Sequence, residues 1–151
     1  MHYGGRMADR TTSSTTISAG RPEVMAVIAD FPTYPEWAGQ VKSAEVLTTD
    51  GDGRPETVRF ALDAGMISDT YTLGYAWQGD DGVSWKVVEP GKMVSDLRGS
   101  YRLADTGSGT EVTYELTVDL SVPMIGLVKR KAEKVIVDTA LKGLKKRVEG
   151  R

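Results

Sequence analysis

The chain contains no cysteine and a single histidine. The missing thiols remove disulfides, thiolate nucleophiles and cysteine-ligated metals in one step. The histidine is His2, at the extreme N-terminal end. No Ser/His/Asp triad, histidine base or histidine metal site can therefore be built in the body of the chain. Long hydrophobic runs are missing too. Nothing approaches the ~18 consecutive apolar residues of a transmembrane helix, and the N-terminal end lacks the apolar core of a signal peptide. Together these absences give the expectation of a cytoplasmic protein. The 17 glycines spell neither a phosphate-binding loop nor a dinucleotide fingerprint. No cofactor and no metal is expected.

What is present is an ordinary globular composition, 40% hydrophobic and 26% charged over 151 residues. That length suits one domain. Residues 1–12 read as an appended or disordered tail, and residues 13–149 as the domain. Charge is unevenly spread. The segment from Pro123 to Arg151 holds nine Lys/Arg against three Asp/Glu, whereas the rest holds ten against eighteen. An acidic body argues against a nucleic-acid partner.

From Ser14 to Leu120 apolar residues recur at period two, the mark of half-buried strands. A first strand over Ser14–Ala19 is broken by Gly20 and Pro22. Pro22 opens a short helix through Val24, Val27 and Ile28, which Pro32 stops, and a second short helix follows around Tyr34–Trp37. Five reversals come next, at Asp50–Gly53, Gly65-Met66, Asp80–Gly82, Pro90–Lys92 and Thr106–Gly109. They set expected cross-strand pairs: Val46 with Val58, Phe60 with Tyr71, Trp77 with Trp85, Trp85 with Leu97, and Tyr101 with Tyr114. All five place the apolar residues on one face, and a one-residue slip would reverse each set. Arg59, Lys86, Arg98, Arg102, Glu111 and Glu115 fall on the other, solvent face.

A one-sided meander needs a cover. Pro123 to about Val148 supplies it as one helix. Ile125, Val128, Ala132, Val135 or Ile136, Thr139 and Gly143 recur three and four apart, flanked by Val137, Leu141, Leu144 and Val148. At 1.5 Å per residue, about 26 residues reach roughly 39 Å, enough to cross the sheet. Gly143 disfavours the helix interior by on the order of 1 kcal/mol; a close backbone approach to the sheet or a ligand would explain it, and the alternative is neutral tolerance near the helix end. Lys129, Arg130, Lys131, Lys134, Lys142, Lys145, Lys146 and Arg147 form the helix back. They read either as a solvated face or as a transient contact for an anionic membrane surface. The fold expected is α+β: a seven-stranded curved antiparallel sheet around a long C-terminal helix, with two short helices after strand 1.

The segment Ile28-Ala29-Asp30-Phe31-Pro32-Thr33-Tyr34-Pro35-Glu36-Trp37, with the later Leu141-Lys142-Gly143-Leu144-Lys145, resembles the START-like helix-grip superfamily, in particular its polyketide cyclase/dehydrase and lipid-transfer group. The resemblance spans about Ser14 to Val148. It implies a helix-grip fold around a cavity. It does not choose among cyclases, aromatases and lipid carriers.

The concave face is rich in Tyr and Trp, which a core built for packing alone disfavours because each buried hydroxyl needs a partner. The expected ligand-binding set is Trp37, Phe60, Tyr71, Tyr75, Trp77, Trp85, Leu97, Tyr101 and Tyr114 from helix turn and sheet, with Val128, Ala132 and Ile136 from the long helix. Asp69 falls opposite Leu62 on the inner face. Desolvation there would raise its pKa and make it a candidate acid or base; the alternative is a strand-end residue capping a turn. Met66, Ile67, Met93 and Ile125 are apolar at loop tips and mark an expected entrance. The function expected is binding of a hydrophobic small molecule, a lipid, isoprenoid or polyketide-like compound. The alternatives are a polyketide cyclase, aromatase or dehydratase acting in the same cavity, and a ligand-free interaction module.

Overall fold

Residues spaced two apart do become one face of a single antiparallel sheet. The structure is a computed structural model that describes residues 10–63, 65, 68–121 and 126–150. In chain order the elements are β1 (Thr11–Ile17), α1 (Arg21–Ile28), a single 3-10 turn (Phe31–Thr33), α2 (Tyr34–Trp37), β2 (Val41–Thr49), β3 (Pro55–Asp63), β4 (Ser68–Gln78), β5 (Gly82–Glu89), β6 (Val94–Asp105), β7 (Thr110–Leu120) and α3 (Gly126–Glu149). The strand order is β1-β7-β6-β5-β4-β3-β2, every pair antiparallel. The seven-stranded sheet with one long C-terminal helix and two short helices after strand 1 is the fold the sequence calls for. Strand β1 begins at Thr11, so Thr11 and Thr12 belong to the sheet rather than to the tail. They pair with Leu116 and Glu115, whose backbone groups would otherwise lie unbonded at the edge of β7.

Helix α1 starts where Pro22 fixes the first turn and Glu23 meets the positive helix end. It buries Val24, Met25, Val27 and Ile28. On α3, Ala132, Ile136, Val137, Ala140, Leu141, Leu144 and Val148 are buried, while Val135 is 40% exposed. That settles the choice between Val135 and Ile136 in favour of Ile136. The helix lies over β1 and β7 and against α1 and α2. Four of its eight cations are paired at short range. Lys129 pairs with Glu133 at 3.1 Å, Lys134 with Asp138 at 2.9 Å, Lys145 with Glu149 at 2.8 Å and Arg147 with Glu36 at 2.8 Å. No described helix is long and apolar enough to cross a membrane.

Three expected registers hold: Val46 opposite Val58, Phe60 opposite Tyr71, and Tyr101 opposite Tyr114. Two are shifted by two residues. Tyr75, not Trp77, faces Trp85, and Gly99, not Leu97, faces Trp85. A two-residue shift keeps every side chain on its face, so alternation cannot detect it. The causes are glycines. Gly79, at φ 56°, rather than Gly82, makes the left-handed turn residue of the β4–β5 hairpin. Gly99 leaves room for an indole: a Cβ there would lie 2.6 Å from Trp85 Cζ2. Trp85 therefore lies flat across the sheet, its ring 5.4 Å from Tyr101 and 5.6 Å from Tyr114.

Candidate functional site

The concave face closes on a small apolar cavity of about 70 Å³. Strands β3 to β7 supply Phe60, Leu62, Tyr71, Leu73, Tyr75, Trp85, Leu97, Tyr101, Tyr114 and Leu116. Tyr34 and Trp37 of α2, with Ala38, Gln40 and Val41 after it, make one wall, and Ile136 and Ala140 of α3 the roof. The rings interlock. Phe60 and Tyr71 stack at 6.1 Å, Tyr75 lies 5.6 Å from Trp85, Tyr101 4.7 Å from Tyr114, and Tyr34 4.6 Å from Trp37. A water needs roughly 10–15 Å³, and an engineered cavity of about 150 Å³ takes up benzene. The space as built holds a few waters. A larger guest requires a wall to move.

Its polar atoms set its chemistry. Among the described residues, no charged side chain lines it. Tyr34 is anchored, its hydroxyl donating to the Ile28 carbonyl. The hydroxyls of Tyr71, Tyr75, Tyr101 and Tyr114 make no hydrogen bond to a described residue. Trp37 Nε1, on a side chain 8% exposed, is fully enclosed and has no partner among the described residues. An enclosed donor without an acceptor costs about 1–3 kcal/mol. Burial pushes the pKa of Tyr34, Tyr71, Tyr75, Tyr101 and Tyr114 up, and for all but Tyr114 the charge that neighbouring phenols would carry adds to it. These groups stay neutral phenols near pH 7. They can donate or accept hydrogen bonds but do not serve as bases.

Asp69 follows the second of its two readings, a strand-end residue that caps a turn. It does pair with Leu62, yet its carboxylate reaches out to the β5–β6 turn. Oδ2 accepts from Met93 and Val94 N–H at 2.8 Å each, and Oδ1 from Lys92 N–H at 3.1 Å and Thr70 N–H at 2.9 Å. Burial pushes its pKa up, but the four backbone donors outweigh that and hold it below the usual carboxylate value. The carboxylate is charged at neutral pH and occupied in shaping a turn. Asp69→Ala is expected to lower stability by about 1–2 kcal/mol at pH 7, because three turn amides lose their acceptor at a partly solvated site. A folded pKa below the unfolded value of ~3.9 stabilises above that value and is lost as pH falls through the folded one. The difference between native and variant proteins in urea melts should therefore be constant above about pH 5 and shrink in acid. A gap that persists undiminished at about pH 2 would contradict this assignment.

Of the residues expected to bind a ligand, Trp37, Phe60, Tyr71, Tyr75, Trp85, Leu97, Tyr101, Tyr114 and Ile136 line the cavity. Trp77, Val128 and Ala132 do not. Trp77 is on the same face but nearer the β2–β3 turn, where its Nε1 donates to the Pro55 carbonyl at 2.7 Å and Arg54 lies over its ring at 5.1 Å. Val128 and Ala132 sit in the first turns of the helix, near Glu133 and its bond to Thr11. Of the expected entrance, Met66, Ile67 and Ile125 lie outside the described residues. Met93 is half-buried and pinned: its N–H donates to Asp69, and its carbonyl accepts from Ser121 N–H at 2.8 Å. Leu62, Leu73 and Leu116 were missing from the expected site although they alternate in phase with Phe60, Tyr71 and Tyr114.

This chain matches, over residues 8–149, the family described as polyketide cyclase/dehydrase and lipid transport. The chain belongs to that family. Solved structures agree on the fold. A START superfamily protein from Mycobacterium smegmatis superposes with a TM-score of 0.86 at 19% identity, over 93% of this chain and 97% of that one. The TTHA0849 protein from Thermus thermophilus gives 0.79 at 23%, over 93% and 97%. The Zhui aromatase/cyclase from a Streptomyces species gives 0.77 at 16%, over 94% of each chain. A comparison with curated proteins finds no match. The family's description thus spans proteins that act on a ligand and proteins that move one.

Proposed function

We propose that the protein binds an uncharged, mainly apolar small molecule between the sheet and the long helix, and that the wall opens to admit it. One observation carries this: four tyrosines whose hydroxyls bond to no described residue line an apolar space that no described charged side chain lines. A guest that brings oxygen acceptors on an aromatic or alicyclic body satisfies the hydroxyls and fills the space. A lipid, isoprenoid or polyketide-like molecule fits if its buried part carries no charge. A catalytic version, in which the walls fold a polyketide-like chain, is favoured by the same phenols, which can hold ketone oxygens in place. It gains nothing from a proton carrier, since no described carboxylate lines the cavity.

The test uses matched probes. Purified protein is titrated with an uncharged naphthyl ketone and with the naphthoate of similar size, following tryptophan emission. The ketone should quench saturably and bind at least about tenfold more tightly, because a buried carboxylate finds no cation. Equal affinity for the two, or no saturable response to either, overturns the reading. Mass spectrometry of an organic extract of the protein then identifies what it carries from the cell.

A further inference from the structure

Trp37 borders two spaces. One is the apolar cavity of about 70 Å³, and the other a larger, more polar cleft of about 810 Å³ lined by Asp30, Thr33, Glu36, Lys146 and Arg147. We propose that the turn Pro35–Gly39 is the door of the cavity, lifting off the long helix and carrying the Trp37 indole into the larger cleft. This rests on the binding reading above.

Between the turn and the long helix, few polar contacts hold the door shut. Glu36, 59% exposed, pairs with Arg147 at 2.8 Å, and this is the one side-chain ion pair between α2 and α3 among the described residues. The Trp37 carbonyl packs against the bare Cα of Gly143, whose missing side chain lets the turn sit flush on the helix. Beyond them, a Cβ at Gly39 would stand 3.8 Å from Thr139 Cγ2. Behind the turn, the hydroxyl of Tyr34 is fixed to Ile28, which supplies a fixed end for the movement.

The closed position also leaves a polar group unsatisfied. Trp37 Nε1 has no partner among the described residues, and the indole atom nearest to where a Gly143 Cβ would stand is Cε3, 3.4 Å from that position. In the larger cleft the N–H meets water and the carboxylates of Asp30 and Glu36, of which Asp30 bonds through its side chain to no described residue. Shut, the indole gains burial; open, it gains a hydrogen bond. Two positions of opposite advantage are what a door requires.

The chain has no cysteine, so a crosslink can be placed cleanly. The full-length Gly39→Cys/Thr139→Cys protein, oxidised, pins the turn to the helix. Stopped-flow mixing with Nile red, an uncharged dye, should show association slowed at least about tenfold on oxidation and restored by reductant. Glu36→Gln is the second arm. Loss of a surface ion pair should speed association and dissociation together by about two- to fivefold, with the equilibrium constant nearly unchanged. Oxidised protein that loads at the native rate, or Glu36→Gln with native rates in both directions, overturns the door and leaves the binding reading standing. Native protein that never binds Nile red saturably overturns both.

Discussion

Glu133→Ala should destabilise the fold by about 3–5 kcal/mol, the cost of removing one partner from a buried charged cluster. Glu133 is wholly buried. Its Oε1 accepts from the Thr11 hydroxyl at 2.8 Å, and its Oε2 from the Val118 N–H at 2.8 Å and from Lys129 Nζ at 3.1 Å. Val118 lies two residues past Leu116, the last β7 position paired with a described residue of β1. Its amide points to the open side of β7, where a carboxylate from the helix replaces a strand. Alanine would strand that amide and leave Lys129, only 19% exposed, with Asp119 at 3.9 Å as its nearest anion. Glu133→Gln keeps the shape and one acceptor, and should lose about half as much. Thermal melts should show the alanine variant lower by roughly 6–20 °C. A loss under about 1 kcal/mol would mean that water takes over the amide and the cluster is peripheral.

Gly143→Ala should destabilise by about 2–3 kcal/mol, against the ordinary rule for this substitution. In a helix interior, alanine is favoured over glycine by about 1 kcal/mol. Here a Cβ would overlap the Trp37 carbonyl oxygen and sit 3.0 Å from its carbon. Backbone cannot rotate out of the way as a side chain can, so the α2 turn must move off the helix and release its packing. The opposed signs make the measurement decisive. A stabilised variant in urea melts would show that the turn and the helix are not in contact. In a folded variant the α2 turn would be propped open, and Trp37 emission should shift toward that of a solvated indole.

The glutamate and glycine sites differ in how far the sequence announced them. Gly143 was conspicuous, a poor helix former on a buried stripe, and close approach was its natural explanation. Glu133 was silent. With Lys129 four residues before it, it reads as a surface ion pair. Only the place where β1 stops reveals a free amide for it to reach. The same contrast runs through the cavity. Alternation put Phe60, Tyr71, Tyr75, Trp85, Tyr101 and Tyr114 on one face, because a single-residue error would have turned them all outward. It could not report height along a strand, so Trp77 was grouped with them although it lies toward the far end. It was equally blind to the two-residue shifts around Trp85, which the left-handed turn at Gly79 and the room above Gly99 explain. Asp69 was placed opposite the right neighbour. Its direction was illegible, because that depends on where the next hairpin folds back over it.

The pairing of β1 with β7 sets the order in which the chain can be completed. Every other neighbouring pair in the sheet is joined by a short hairpin and can zip locally. Strand β1 instead meets residues made roughly 100 positions later, an interval of about 5–20 s at a ribosome adding 5–20 residues per second. Through that interval the first strand synthesised has no partner. Its sequence, Thr-Thr-Ser-Ser-Thr-Thr-Ile, is suited to the wait: hydroxyls along nearly its whole length keep it soluble, and one apolar residue at its end waits for the core. The meander from β2 to β7 can assemble first, leaving its last edge open. Closure then comes in one late event, when β7 and the long helix have both emerged and β1 docks between them.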